Sequence, residues 1–544
     1  MAFGRPLFVV VLLLLQACAN NKYLTEEYET ALTRAESFDA STVLESEVVE
    51  LQTVPLALPE VILARAEEVV NQEPELDSRP LQLSEVRRYA LENNLGIEVD
   101  LFDPQIAEQS YLAEKVKFEA ILTAQVRQTK NWDMNDEVIE STFAEPSIVI
   151  PVPTGAVLSV GVPFSETRMP ASDNMMEMAG INKTAQLGVS LVQPVLRNAG
   201  TQVNLASIET AGLLMRQTNS LTKLRVISTL AGAERAYWRY YAAYQLLQVR
   251  YRQYELALEQ RSVAERMVAE GVRTRVELTR AESGVALQFT EVIVAETSRR
   301  RAERALKRFI NIPDLDVDTE ATILPMTPTA PQGMDFDRGR LVSMAYSNRQ
   351  ELLQNEMQLE IDRITIDVDR NQTLPKLDVT FQYAYSGAAP ESKAVWEMMF
   401  DRELNGLAAG VSFEMPLLGN RSARAKLRQS LLRRSQTLAT RRLLEQAVRE
   451  EVHNAADAVE QSWQQILSNR LAISLAEKTY EEEKQQFALG VRTSTDVLIS
   501  LTSLSDARVT QIGAFLAYQN AMIDLAFATG TVMGSGDISW ADNE

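Results

Sequence analysis

Apolar and polar positions follow two different periods along this chain. Between residues 226 and 258 the apolar side chains step by four and three: Val226, Leu230, Ala233, Tyr237, Tyr240, Tyr244, Leu247, Tyr251, Tyr254 and Leu258. That spacing predicts one long helix with a sustained coiled-coil seam. Trp238, Tyr241 and Leu246 lie off the seam, so the helix is expected to have neighbours on more than one side. The tyrosines read as core, and no cofactor is expected among them. Elsewhere the period is two. Leu377, Val379, Phe381, Tyr383 and Tyr385 alternate with Asp378, Thr380, Gln382, Ala384 and Ser386, and Leu407, Ala409, Val411, Phe413 and Met415 repeat the pattern. Leu122, Ala124 and Val126 do so earlier, followed by Leu187, Val189 and Leu191. This predicts strands with one apolar and one polar face. Such a face fits lipid in an outer-membrane barrel or the core of an ordinary half-buried sheet, and periodicity alone leaves both open.

Proline marks the boundaries. None of the 19 prolines falls between Pro194 and Pro313 or after Pro416. Proline lacks the N–H and clashes with the preceding turn, so the two gaps read as long helices. Each gap holds one copy of the same block, Gly271-Val-Arg-Thr274 and Gly490-Val-Arg-Thr493. The register extends outward from these blocks. Glu277 aligns with Asp496, Leu306 with Leu525, Gly188–Pro194 with Gly410–Pro416, and Ala90–Asn93 with Ala345–Asn348. One unit of about 200 residues has therefore been duplicated. Gly271 and Gly490 suit the left-handed residue that ends a helix. Thr274 and Thr493 are placed to cap the next helix, with Glu277 and Asp496 completing capping-box-like pairs.

Each repeat thus predicts a helical hairpin with a tight tip. The ascending arms, about 200–270 and 420–489, span ~105 Å at 1.5 Å per residue, whereas the returning arms, about 272–311 and 491–530, reach only ~60 Å. The helices before the strands, about 83–115 and 337–370, supply the missing ~50 Å end to end. The segments are 81–312 for repeat one, 313–336 for a linker, 337–531 for repeat two and 532–544 for a tail. Two strands per repeat give four per chain, too few to close a barrel; three chains would give twelve. A further strand-like stretch, Ala156 to Phe164, either extends a hairpin or disturbs that count.

Composition adds three points. With 46% hydrophobic and 24% charged residues the chain is built to fold. A formal charge of −20 argues against nucleic acid. The first residues form a targeting segment: Arg5, an apolar core from Leu7 to Leu15, then Leu15-Gln-Ala-Cys18. That block resembles a bacterial lipobox. Residues 1–17 are then a signal peptide, and Cys18, the sole cysteine, is the lipidation site at the head of an 18–80 extension. Ala19 favours sorting to the outer membrane.

Over residues 80 to 531 the chain resembles the TolC-like outer-membrane efflux proteins. The carriers are the two Gly-Val-Arg-Thr tips, Asp496-Val-Leu498, Gln193-Pro-Val-Leu-Arg-Asn-Ala-Gly200, Met415-Pro-Leu-Leu-Gly-Asn420, Ala236-Tyr-Trp238 and Ala528-Thr-Gly530. The resemblance implies a mainly α fold with a membrane β-barrel. It implies a homotrimeric α/β barrel built from two tandem strand–helix repeats with long coiled-coil hairpins. The barrel sits in outer-membrane lipid, the linker forms a collar, and the tips close the periplasmic end. A periplasmic adaptor joins the tips to an inner-membrane transporter. By the same resemblance Arg492 and Asp496 match the charged pair of the second tip, Glu277 holds the acidic place of the first, Arg273 is an added cation, and Phe487 takes an aromatic gating position. Ile499 stands where the best-known member has a second aspartate.

The resulting expectation is a passive conduit in the outer membrane, lipid-anchored on its periplasmic side and gated at its tips. The alternative is a lipid-anchored coiled-coil scaffold without channel activity, which needs neither amphipathic strands nor duplicated tips. No enzyme, cofactor or metal site is expected: the single histidine, His453, lies among alanines and acids, and no phosphate loop or nucleophile elbow is present. The exported cargo is not encoded in any motif.

Overall fold

The computed structural model describes residues 78–132, 138–169, 180–319, 321–328, 330–402, 404–417 and 419–534. The expected signal peptide, Cys18, nearly all of the 18–80 extension and most of the 532–544 tail lie outside them. In chain order the first repeat runs β1 (Ser78–Leu81), α1 (Leu83–Asn93), α2 (Leu95–Asp100), α3 (Phe102–Lys115), β2 (Ile121–Trp132), β3 (Val138–Pro151), β4 (Val157–Gly161), β5 (Phe164–Met169), β6 (Gly180–Pro194), α4 (Ala206–Ala269) and α5 (Arg275–Ile310). The second runs β7 (Thr322–Pro325), α6 (Arg338–Asn348), α7 (Gln350–Gln372), β8 (Lys376–Ala389), α8 (Ser392–Phe400), β9 (Leu404–Glu414), α9 (Arg421–Ala488) and α10 (Ser494–Ala528).

The proline-free gaps are α4 with α5 and α9 with α10. The 64 and 68 residues of α4 and α9 make rods of roughly 95 and 100 Å. The shorter helices meet end to end beside each rod. Asn94 accepts from the Gly96 and Ile97 N–H groups, capping α2, and its Nδ2 donates to the Phe309 carbonyl at 3.0 Å. Asn311, left-handed at φ 42°, ends α5 and donates to the Asn93 carbonyl at 3.0 Å. This reciprocal clasp satisfies carbonyls that two helix ends would otherwise leave bare. Repeat two makes a looser version, Asn348 Nδ2 to the Thr529 carbonyl at 3.5 Å.

The tyrosine seam of α4 is core, and its hydroxyls read the backbone of the linker. β1 pairs in parallel with β7. Tyr237 donates to the Leu81 carbonyl at 3.3 Å and accepts from the Thr327 N–H at 3.2 Å, while Tyr240 donates to the Ile323 carbonyl. Burial pushes both phenols up. On the other hairpin Tyr518 donates to the Gln332 carbonyl at 2.7 Å. The linker is thus tied to both hairpins by aromatic side chains that are apolar along their length and polar at the end.

The large sheet has the order β2-β3-β4-β6-β8-β9, with β5 beside β3 and β6. It carries the alternation expected from the sequence. Phe381 and Tyr383 share a face with Val189, Leu191 and Leu407, and Thr380 and Gln382 lie opposite. The four-strand count is corrected: β3 and the interrupted strand β4–β5 stand between β2 and β6, so the described residues give the large sheet six strand positions. Repeat one therefore contains an inserted antiparallel pair, of which the Ala156–Phe164 stretch was the visible part. The helix α8 between β8 and β9 likewise has no counterpart in the sequence pattern. It folds back on the apolar face, with Val395 and Met399 packed against Ala185, Leu187 and Tyr385. Gly387 permits this, since a Cβ there would lie 2.1 Å from the Val395 carbonyl oxygen.

Candidate functional site at the helical tips

The two reversals are built alike. In the first, the Val272 N–H donates to the Met267 carbonyl at 2.9 Å and the Gly271 N–H to Val268 at 3.1 Å; in the second, Val491 donates to Gln486 at 3.0 Å and Gly490 to Phe487 at 2.9 Å. These are Schellman caps, and they require the positive φ of Gly271 (74°) and Gly490 (81°). Space is not the constraint, because a Cβ at either glycine would meet nothing within 4 Å.

The next helices begin differently. Thr493 forms a full capping box: its Oγ1 accepts from the Asp496 N–H at 3.4 Å, and Asp496 Oδ2 accepts from the Thr493 N–H at 2.9 Å and hydroxyl at 2.8 Å. The Thr493 N–H and then its hydroxyl hold the Asp496 carboxyl below the usual carboxylate range. Thr274 has the extended cap backbone but no side-chain cap bond. The box expected from Thr274 and Glu277 is therefore corrected. Glu277 is buried, and it crosses to the other hairpin, accepting from the Ser494 N–H at 3.0 Å while Arg280 donates to its second oxygen at 3.0 Å. The carboxylate of one repeat thus sits at the positive helix N-terminus of the other.

The arginines also cross or fold back. Arg273 donates to the Arg492 carbonyl at 2.7 Å and lies 5.6 Å above the Phe487 ring, a cation–π geometry. Phe487 is 1% exposed, in a core with Tyr480, Val497, Leu501 and Leu504. It therefore seals the hairpins of one chain to each other and faces no open aperture of the single chain. Arg492 donates to Gln486 at 3.2 Å and forms an ion pair of 3.2 Å with Glu483, without hydrogen-bond geometry. Among the described residues neither Arg273 nor Arg492 forms an ion pair with Glu277 or Asp496.

Sequence reasoning missed an apolar crown. The residue after a Schellman glycine commonly packs back on its helix. Here Val272 and Val491 stay outside, 62% and 72% exposed, with Leu489 80% exposed beside them. The signal was a β-branched apolar residue in the same loop place twice. Ile499 is exposed as well. Among the described residues no helix is long and apolar enough to cross a membrane.

Residues 341–531 match the model of the family described as outer membrane efflux protein. No curated protein matches the sequence. Among solved structures, CusC, described in terms of folding and transmembrane channel formation, aligns with a TM-score of 0.62 at 14% identity, over 84% of this chain and 93% of its own. The outer membrane protein VceC of Vibrio cholerae aligns with a TM-score of 0.61 at 13% identity, over 82% and 96%. The CmeC outer membrane channel of Campylobacter jejuni gives 0.60 at 12%, over 89% and 90%. Together they show that this chain has the fold of the TolC-like outer membrane efflux proteins along most of its length and matches their family model across its second repeat.

Proposed function

We propose that the chain is the outer-membrane channel of a tripartite efflux or secretion system, a passive homotrimeric conduit rather than an enzyme. The observation that carries this reading is a single sheet with one apolar and one polar face, open at both edges, mounted on helical hairpins about 100 Å long. β2 and β9 are the two edges, and every residue of both strands except the half-buried Gly410 is exposed. Long bare edges are a liability in an isolated chain. Pairing β9 of one copy with β2 of the next removes them and turns the apolar faces to lipid and the polar faces to a lumen.

In this reading the tips form the periplasmic gate. Glu277 at the Ser494 N–H and Arg273 on Phe487 clamp the two hairpins of one protomer, and Arg492 and Asp496 remain available to a neighbouring copy. The exposed Val272, Leu489 and Val491 meet a periplasmic adaptor, which links to an inner-membrane transporter. Opening requires the adaptor to bind splayed tips better than closed ones. Cys18 carries the lipid that anchors the mature chain on the periplasmic side.

The purified protein should have the mass of three subunits and conduct in a planar bilayer. Arg492→Ser combined with Glu277→Ala should raise the conductance of the closed state and sensitise cells to large antibiotics, and high salt should partly mimic it by screening exposed pairs. A non-conducting monomer would instead favour the anchored scaffold. Mass spectrometry of the N-terminal peptide should find an acylated cysteine, and an unmodified terminus elsewhere would remove the anchor.

A further inference from the structure

We infer that the inserted pair, β3 and β4–β5, is part of the lipid-facing barrel wall, so that three copies close an eighteen-stranded barrel in place of a twelve-stranded one. This rests on the proposed trimer and on the sheet spanning the membrane. β2 does not touch β6. It pairs with β3 along its whole length, from Ile121↔Val149 to Trp132↔Val138, and β4 and β5 take the next place, pairing with β6 from Val157↔Val192 to Met169↔Gly180. The inserted strands therefore occupy two full positions between the two strands that the repeat supplies.

They also obey the same two-sided code at the same height. One row crosses all six positions through Leu122, Ile148, Val160, Val189, Tyr383 and Leu407. All six point to one face, and all are apolar or aromatic. The row below, through Ile150, Leu158, Leu191 and Phe381, is apolar too. The opposite face carries hydroxyl pairs across the inserted strands, Thr123 with Ser147 and Ser165 with Thr184, each at 2.7 Å. A hairpin standing outside the membrane has no reason to continue an apolar band in register with its neighbours.

The lower turn is locked at the base of the sheet. The Thr154 carbonyl accepts from the Gly200 N–H at 3.0 Å and its hydroxyl donates to Gln193 at 3.2 Å. Gly155, at φ 90°, passes so near the Asn198 carbonyl oxygen that a Cβ would lie 2.3 Å from it. The pair thus reaches the level where β6 hands over to α4, and spans the height of the sheet. Barrel diameter grows about linearly with strand number, so the exit is roughly one and a half times as wide as a twelve-stranded one and leaves an aqueous channel.

Arginine placed in the band tests this in cells. Ile148→Arg and Val160→Arg should each reduce heat-resistant trimer in outer membranes ~10-fold or more, as Leu191→Arg does on β6, while Ser147→Arg on the lumen face is tolerated. If Leu191→Arg disrupts assembly and Ile148→Arg and Val160→Arg do not, the pair lies outside the wall and the inference is overturned, with the channel reading intact. If all three are tolerated, the sheet is not in lipid and the channel reading falls with it. Should Ser147→Arg disrupt folding as well, the double variant Thr123→Cys/Ser147→Cys decides. A disulfide formed within one chain of the assembled trimer supports the wall position, and its absence after oxidation overturns it.

Discussion

Thr274 and Thr493 hold the same place in two copies of one turn, and only Thr493 caps. Thr493→Ala should therefore lower stability by ~1 kcal/mol, whereas Thr274→Ala should have little effect. Thermal unfolding of the two variants checks the difference. The capping box also sets a pH dependence. Asp496 titrates below an ordinary aspartate, so its contribution is complete above the usual carboxylate range and is lost as pH falls through the depressed value. The protection of amides 493–497, taken relative to their intrinsic exchange rates at each pH, should fall on acidification, and Asp496→Asn should remove that dependence. Glu277→Ala acts on the other hairpin, because it leaves the buried Ser494 N–H without its acceptor, at a cost of ~1–3 kcal/mol. Exchange should rise at the start of α10 more than at the start of α5. The glycine and threonine roles were legible in the sequence because Schellman caps and capping boxes are local. The swap at Glu277 was not, since it depends on where the other hairpin lies.

At the scale of elements, the linker is held through one buried ionic group. Arg299 pairs with Glu303 at 2.7 Å, and the other Glu303 oxygen accepts from the Ile323 N–H of β7 at 2.8 Å. Lys307, its ammonium pushed down by burial, donates to the Thr319 and Ala321 carbonyls at 2.8 Å each. Glu303→Ala leaves the Ile323 N–H without its acceptor, whereas Arg299 keeps its two hydrogen bonds to Glu296 at 3.0 Å each, so the loss should be ~1–3 kcal/mol. Limited proteolysis should then cut within 316–336 faster than in the wild type. The long helices and the end-to-end fit of the short ones were readable from proline placement and from 1.5 Å per residue. The inserted strands were hidden for a physical reason. Pro146 stands inside β3, and proline is seldom found within a central strand because it lacks the N–H that a ladder needs. Here its partner strand is interrupted at 162–163, and the Val162 N–H donates to the Pro146 carbonyl at 2.9 Å. The missing donor falls where the ladder is already broken, a coincidence of two chain segments that no single window displays.

For the whole molecule, the two faces of the sheet decide where charge is tolerated. Phe381 is 51% exposed on the apolar face, and Gln382 beside it points the other way. Phe381→Arg should impair assembly by ~2–4 kcal/mol if it lies near the membrane midplane, and Gln382→Arg should be tolerated. The yield of heat-resistant trimer measures both, and equal tolerance would argue for a sheet in water. β2 and β9 are different strands, so copies that join through them meet head to tail, and such a contact contains no stop of its own. It also cannot distinguish a sister chain from any extended peptide of matching pattern. A synthetic peptide copying Ile121–Trp132 should therefore act as a chain terminator. Added before assembly it should occupy the β9 edge and leave subunits stranded short of the closed ring. Added afterwards, when no edge is left to seize, it should do nothing.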